Sequence, residues 1–295
     1  MIGESCLLFV PLQKIAMSPE VAFSAQSYLF VPGNRPERFA SALASGADAV
    51  IIDLEDAVEP AAKVSARETV RAWVSRDQPV LVRINGRGTP WFEQDAKLVG
   101  LEGIAGVVIP KTEGLDDIVE VVSNAKRKIP VFPLIETARG MWSAMDIAKA
   151  PYVKRLMFGT LDFIAEMGTD DDGEALNPYR TQLALVSRVA GIEQPVDGVT
   201  PDIHDTERLV TDTQNGKRHG FGAKLCIHPG QIAAVHACYC PSARDVEWAT
   251  RVVDAVSRAD GAATTVDGKM VDRPVLLRAQ KVLAFASHRR MTVAA

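Results

Sequence analysis

Short runs of apolar and β-branched residues recur along the chain, each closed by a Gly, Pro or acidic break and followed by a longer charged segment with apolar residues near helical spacing. The apolar runs predict strands from Ser27 (SYLFVPG), Ala49 (AVIIDLED), Pro79 (PVLVRIN), Ala105 (AGVVIPK), Ile129 (IPVFPLIE), Arg155 (RLMFGTLD), Gln194 (QPVDGV) and Ala223 (AKLCIHP). The intervening segments, among them Pro36 to Ser45, Lys63 to Val74, Leu115 to Ala125, Pro178 to Ala190 and Asp205 to His219, predict amphipathic helices. This alternation is the βα pattern of a parallel sheet. Eight units in 295 residues fit a closed (β/α)₈ barrel better than an open doubly wound sheet. The open sheet wants a glycine-rich phosphate turn after its first strand, and FVPGNRP has one glycine and two prolines.

The expected organisation is an N-terminal extension over 1–26, a barrel over 27–240 and a C-terminal helical arm over 241–295. The arm carries helical patterns at Ala243 to Ala259 and Pro274 to Ala286, joined by GAATTVDGKMVDR. Such an arm serves as an oligomer contact or lid, or packs on its own barrel. The first segment, MIGESCLLFVPLQKIAM, has no basic stretch before its apolar run and is too short to cross a bilayer, so no secretory signal is expected. Met17, followed by Ser-Pro, is a candidate start that would leave a disordered extension before it.

Barrel enzymes place their chemistry at the C-terminal ends of the strands. Those ends carry Asp53 with Glu55 and Asp56, Arg83 with Asn85, Lys111, Glu136, Asp162, Asp197 and His228. Lys111, Asp197 and His228 fit an exposed loop start equally well. Glu136 and Asp162 close apolar strands, where two carboxylates aimed into a shared mouth suit Mg²⁺ with its preference for hard oxygen ligands. A glycosidase acid and base is the competing use of two carboxylates, but only 6% of the residues are aromatic and no sugar-binding wall accompanies them. Arg83 offers a planar fork for a substrate carboxylate or oxyanion, and an ion pair with Glu55 or Asp56 is the lesser alternative; the two roles are compatible.

Composition narrows the partners. With 37 acidic against 33 basic residues, a net charge of −4 and no long basic run, neither nucleic acid nor an anionic membrane is an expected partner. Cys6, Cys226, Cys238 and Cys240 lack the paired spacing of a zinc site or disulfide framework, and read as reduced cytoplasmic thiols. Cys226 and His228, two apart in an apparent strand, would share a face that a metal could exploit.

SYLFVPGNRPERF, GADAVIIDLEDAVEP with the following KVSAR, LVRING, VVIPK, LIET, FGTLDF, DGV, GFGAKLCIHPGQI and DGKMVDRP stand in this order between about Ser27 and Ala286. Together they resemble the citrate lyase β-subunit and malyl-CoA lyase group of the 4-hydroxy-2-oxoheptanedioate aldolase superfamily. The resemblance implies a (β/α)₈ barrel in which Glu136 and Asp162 bind Mg²⁺ and Arg83 contacts the acyl or oxoacid carboxylate. It implies that Phe30 and Arg35 help hold coenzyme A, that Leu161 lies beside the substrate, and that Asp202 and Ile203 line the thioester channel. Asp272 of GKMVD matches an aspartate that reaches a neighbouring subunit's active site as acid/base. Two positions depart from the pattern: Glu166 in AEMG stands where citrate lyase β-subunits usually carry an aspartate, and Ser41 stands where the lyases can offer a lysine.

The activity implied is Mg²⁺-dependent cleavage of a 3-hydroxyacyl-CoA (malyl, citramalyl or β-methylmalyl) to an oxoacid and a short acyl-CoA, in a homotrimer or hexamer. Alternatives are a citrate lyase β-subunit acting on a carrier-protein-bound citryl group and an aldolase of free oxoacids. An intact Asp272 argues against the first, and FVPGNRP with the GKMVD segment against the second.

Overall fold

Eight parallel strands close on themselves in chain order, each hydrogen-bonded to the next and the eighth to the first. The structure is a computed structural model and describes residues 25–170, 172–259 and 264–294, with side chains as far as Ala286. The expected extension over 1–26 lies outside the described residues apart from Ala25 and Gln26, as do Cys6 and residues 260–263 of the arm's connecting segment.

The strands are β1 (Ser27–Pro32), β2 (Ala49–Asp53), β3 (Val80–Arg83), β4 (Ile104–Ile109), β5 (Val131–Ile135), β6 (Met157–Phe158), β7 (Val196–Asp197) and β8 (Ala223–Cys226). Around them run α1 (Phe39–Leu43), α2 (Lys63–Trp73), α3 (Phe92–Leu98), α4 (Leu115–Ala125), α5 (Ala138–Trp142), α6 (Ala144–Ala148), α7 (Thr160–Met167), α8 (Asn177–Ala190), α9 (Thr206–Arg218) and α10 (Ile232–Tyr239). The architecture is a (β/α)₈ barrel, with no helix among the described residues long and apolar enough to cross a membrane.

Strand side chains alternate between two faces, and one face fills the barrel. Tyr28, Ala49, Ile51, Leu81, Phe132, Leu134, Met157, Val196, Ala223 and Leu225 form one buried cluster. Continuing that parity by two residues leads from Ile51 to Asp53, from Leu81 to Arg83 and from Leu134 to Glu136. The layer above the apolar core is therefore charged. The register agrees, since Asp53 pairs with Arg83 across β2 and β3.

Three expectations change. The sixth and seventh strands are two residues each, and Asp162 sits in the first turn of α7 rather than at a strand end. Asp197 ends β7 but has the parity opposite to Val196, so it faces the helices, where it pairs with Arg180 of α8 at 3.0 Å. That guanidinium, 1% exposed, also holds Asp172. His228 lies beyond β8, and its Nδ1 accepts the Gly230 N–H at 3.1 Å. Cys226 is buried, with its thiol pushed up to about 12 by that burial, while His228 is exposed, so the two do not share the face a metal would need.

The described residues up to Cys238 form one compact unit, and those from Tyr239 onward belong to a second. In the second, α11 (Ala243–Arg258) and α12 (Arg273–Ala294) pack through Ala249, Val252 and Ala279, with Val271 from the segment between them joining the cluster. Their connection folds as a hairpin of β9 (Thr264–Val266) and β10 (Lys269–Val271), not as an open segment. Asp267 and Gly268 both have positive φ, 51° and 73°, the requirement of a two-residue type I′ turn that Asp-Gly satisfies.

Breaking a buried ion pair leaves an unpaired charge in low dielectric. Arg180→Met should therefore destabilise the barrel by about 3 to 5 kcal/mol, seen as a lower urea midpoint. An unchanged midpoint would show that Asp197 finds another partner.

Candidate active site

Arg83 is the hub of the mouth. Its Nε and Nη2 donate to the two oxygens of Asp53 at 2.7 and 2.6 Å, a bidentate pair. Nη1 faces Glu55 Oε2 at 3.0 Å and Asp56 Oδ2 at 3.5 Å. The guanidinium lies 4.7 Å from the centre of the Phe30 ring, within cation–π range. Sequence reasoning named Glu55 and Asp56 as partners, and both are; the dominant one, Asp53, it did not pair with Arg83. Burial acts to lower the Arg83 pKa, but Asp53, Glu55 and Asp56 outweigh it and hold the pKa above its ordinary value.

The loops beyond β2 and β3 are braced from behind. Asp53 accepts the backbone N–H groups of Glu55 at 2.9 Å and Ala57 at 3.1 Å, which curls the chain over the strand end. Lys63 donates to the carbonyls of Leu54 and Glu55 at 3.0 and 2.9 Å and stacks 5.2 Å from the Trp91 ring. Asp95 takes Arg67 at 3.0 Å on one oxygen and the Asn85 side chain at 2.6 Å on the other. Thus Lys63 and Arg67 of KVSAR support the site without entering it. Asp95 was not foreseen, because a lone acid in an amphipathic helix gives no signal.

On the opposite side, Glu136 follows β5 and is 2% exposed. Its Oε1 accepts the Lys111 backbone N–H at 2.7 Å. Gly159, just after β6, packs on it so closely that a Cβ there would overlap Glu136 Oε2, which accounts for the glycine in FGTLD. Burial raises the Glu136 pKa from 4.5 to about 8; Arg83 lowers it in part, while Glu55 and Asp162 raise it further. Lys111 completes the cluster, with Nζ 2.9 Å from Glu55 Oε1, 3.4 Å from Asp162 Oδ2 and 3.9 Å from Asp56 Oδ1. Burial raises the Glu55 pKa, against the pull of Arg83 and Lys111.

Phe30, Arg83, Glu136 and Asp162 therefore meet at one mouth, joined through Glu55 and Lys111. Other candidates have local contacts. Arg35 is exposed and lies 3.8 Å from Glu37, and Asp202 accepts the His204 and Asp205 N–H groups at 2.8 and 3.2 Å. Leu161 and Ile203 are exposed apolar side chains. Asp272 belongs to the second unit and accepts the Val275 N–H at 3.1 Å as α12 begins. Glu166, the departure in AEMG, accepts the Ala138 N–H at 3.2 Å at the start of α5. A cavity of about 700 Å³ opens beside the mouth, lined in part by Glu55, Asp56, Lys63, Trp91 and Lys111.

The electrostatics of this mouth are unbalanced. Asp53, Glu55, Asp56, Glu136 and Asp162 are five carboxylates, and Arg83 and Lys111 are the two cations among them. Burial, reinforced by Glu55 and Asp162, favours the protonated form of Glu136. A carboxyl whose pKa is higher folded than unfolded favours the folded state most below 4.5, and that contribution is lost as pH rises through about 8. In chelator-treated protein, denaturant stability should accordingly fall from pH 5 to pH 8 through this residue, and Glu136→Gln should flatten that part of the curve. Parallel profiles for the two proteins would refute the raised pKa.

Comparison with known proteins supplies the family. Residues 26–229 match the family model described as HpcH/HpaI aldolase/citrate lyase. A citrate lyase subunit beta-like protein of Mycobacterium tuberculosis is 36% identical over 262 residues, covering 87% of this chain and 93% of that protein. A (3S)-malyl-CoA thioesterase of Cereibacter sphaeroides is 31% identical over 270 residues, covering 88% and 94%. The crystal structure of CitE from Mycobacterium tuberculosis in complex with magnesium, acetoacetate and coenzyme A has a TM-score of 0.80 and 34% identity, covering 89% of this chain and 98% of that one. The chain belongs to the HpcH/HpaI aldolase/citrate lyase family and is an enzyme of the lyase class.

Proposed function

We propose that the protein is a magnesium-dependent carbon–carbon lyase that cleaves a malyl-type 3-hydroxyacyl-CoA into an oxoacid and a short acyl-CoA. The observation that carries this reading is the meeting of Glu136 and Asp162 in a mouth with surplus negative charge. A buried carboxyl pushed up to about 8 by burial and neighbouring acids is relieved when a divalent cation joins it. The CitE structure that contains magnesium, acetoacetate and coenzyme A, and the likeness to a malyl-CoA thioesterase, support the ligand class.

In this reading Glu136 and Asp162 hold the magnesium, which when bound supplies Lewis-acid polarisation of substrate oxygens. The N–H groups in the first turn of α7, at Leu161 and Asp162, have no partner within the helix and suit an oxoacid carboxylate. Arg83 is kept charged and in plane by Asp53, so it can stabilise negative charge without reorganising. The 3-hydroxyl proton passes to Asp272, the carbon–carbon bond breaks, and its electron pair becomes the thioester enolate while the hydroxyl carbon becomes the oxoacid carbonyl. Reprotonation of the enolate yields acetyl-CoA or propionyl-CoA. Phe30 and Arg35 are proposed to hold the coenzyme A portion, with Asp202 and Ile203 along the thioester.

Screening malyl-CoA, citramalyl-CoA and β-methylmalyl-CoA with Mg²⁺ and measuring released oxoacid tests the activity directly. Glu136→Gln and Asp162→Asn should each lower kcat/KM by more than the roughly 10- to 100-fold that loss of a supporting partner of a metal ligand costs. Full Mg²⁺-dependent activity in either variant would remove it from the ligand set.

The second unit is proposed as a lid delivered to a neighbouring copy in a homotrimer or hexamer. Two chains, Asp272→Ala and Glu136→Gln, each inactive alone, should regain part of the activity when mixed, because some mouths then receive an intact barrel and an intact lid. Absence of rescue despite measured subunit exchange would place Asp272 in its own chain's site or outside catalysis.

A further inference from the structure

Lys111 touches both halves of the carboxylate pair by different parts of itself. It is one of four residues other than glycine with a positive φ, 47°, among the described residues. That left-handed turn directs its backbone N–H to Glu136 Oε1 at 2.7 Å while its side chain runs to Glu55 at 2.9 Å and Asp162 at 3.4 Å. The backbone contact is fixed by the loop. The ammonium is not, since the side chain is 46% exposed on a flexible stem.

We propose that Lys111 is a positioning residue with two roles: its backbone presets Glu136, and its ammonium is a tethered counter-cation that must release Asp162 before a divalent cation can take that carboxylate. This rests on the reading that Glu136 and Asp162 are the cation's ligands. In the cation-free mouth Lys111 offsets acidic repulsion among Glu55, Asp56 and Asp162. With the cation in place the ammonium keeps Glu55, its nearer partner, and stays close enough to repel the new charge. Cation affinity is thereby held down until an anionic substrate adds compensating charge. Loading of cation and substrate then becomes mutually favourable, which spares the mouth a tightly held cation when no substrate is present.

The test is calorimetric titration of Mg²⁺, and separately Mn²⁺, into the chelator-treated full chain without substrate. Lys111→Gln and Lys111→Met, made in parallel, should bind about tenfold more tightly than wild type, the order expected when a unit positive charge a few ångströms away is removed near a solvent-exposed surface. Lys111→Arg keeps the charge and should stay within about twofold of wild type. Cation-free, the neutral variants should melt below wild type, and saturating Mg²⁺ should raise their Tm by more than it raises that of wild type. Equal or weaker binding in both neutral variants, with Asp162→Asn failing to bind, would overturn the role of Lys111 and leave the ligand pair standing. Normal binding in Asp162→Asn, or no binding in wild type, would instead overturn the ligand pair and this inference with it.

Discussion

The Arg83–Asp53 pair fixes the geometry of the mouth. Both side chains end an inward series in adjacent strands, so they meet across one register step with both oxygens of the carboxylate engaged. The fork lies at the boundary between apolar barrel filling and solvent, where a bidentate contact is held more firmly than at an open surface. Once the fork is spent on Asp53, Nη1 is the remaining nitrogen free to orient other groups, and Glu55 and Asp56 are drawn to it. Glu55 then draws Lys111, and Lys111 touches Glu136 and Asp162. The ion pairs that link Asp53, Glu55, Asp56, Lys111 and Asp162 thus form one connected series that starts at this fork.

Much of this was legible because strand periodicity is rigid. Apolar runs bounded by breaks marked all eight strands, and parity alone places Asp53, Arg83 and Glu136 in one layer above Ile51, Leu81 and Leu134. Applied across strands, the same parity and register would have paired Arg83 with Asp53, a signal that was present and unused. It would also have turned Asp197 outward, since Val196 faces in. Where regular structure runs out, so does the signal. The sixth strand is two residues long, and Asp162 reaches the mouth from a helical turn whose position no strand alternation can set.

Other features could not be read from one strand or helix at a time. Asp95 looks like any acid on an amphipathic helix until Arg67 and Asn85 close on it from two other elements. Gly159 is required by the volume of Glu136 on the neighbouring strand, a contact that depends on the β5–β6 register. The hairpin of the second unit is the reverse case. Asp267–Gly268 is a strong local turn signal flanked by residues that suit strands, but the helices on either side made the segment read as a plain connection.

Charge imbalance distinguishes this mouth from the buried Arg180 and Arg67 clusters. The buried pair of Arg180 with Asp197 and Asp172 is supplemented by the Lys224 ammonium nearby, which donates to the Gly198 carbonyl at 2.8 Å, so that region is neutral and its role is to fasten α8 to the barrel. Arg67 and Asp95 likewise cancel. At the mouth the acids exceed the cations, and the excess falls on Glu136, the most deeply buried of the carboxyls that reach toward Asp162. Because burial favours its neutral form, Glu136 avoids the cost of an unpaired buried charge and can exchange its proton for a cation. The same imbalance becomes favourable when positive charge arrives from outside the chain, which is why the site is better described as an incomplete charge set than as a damaged ion-pair network.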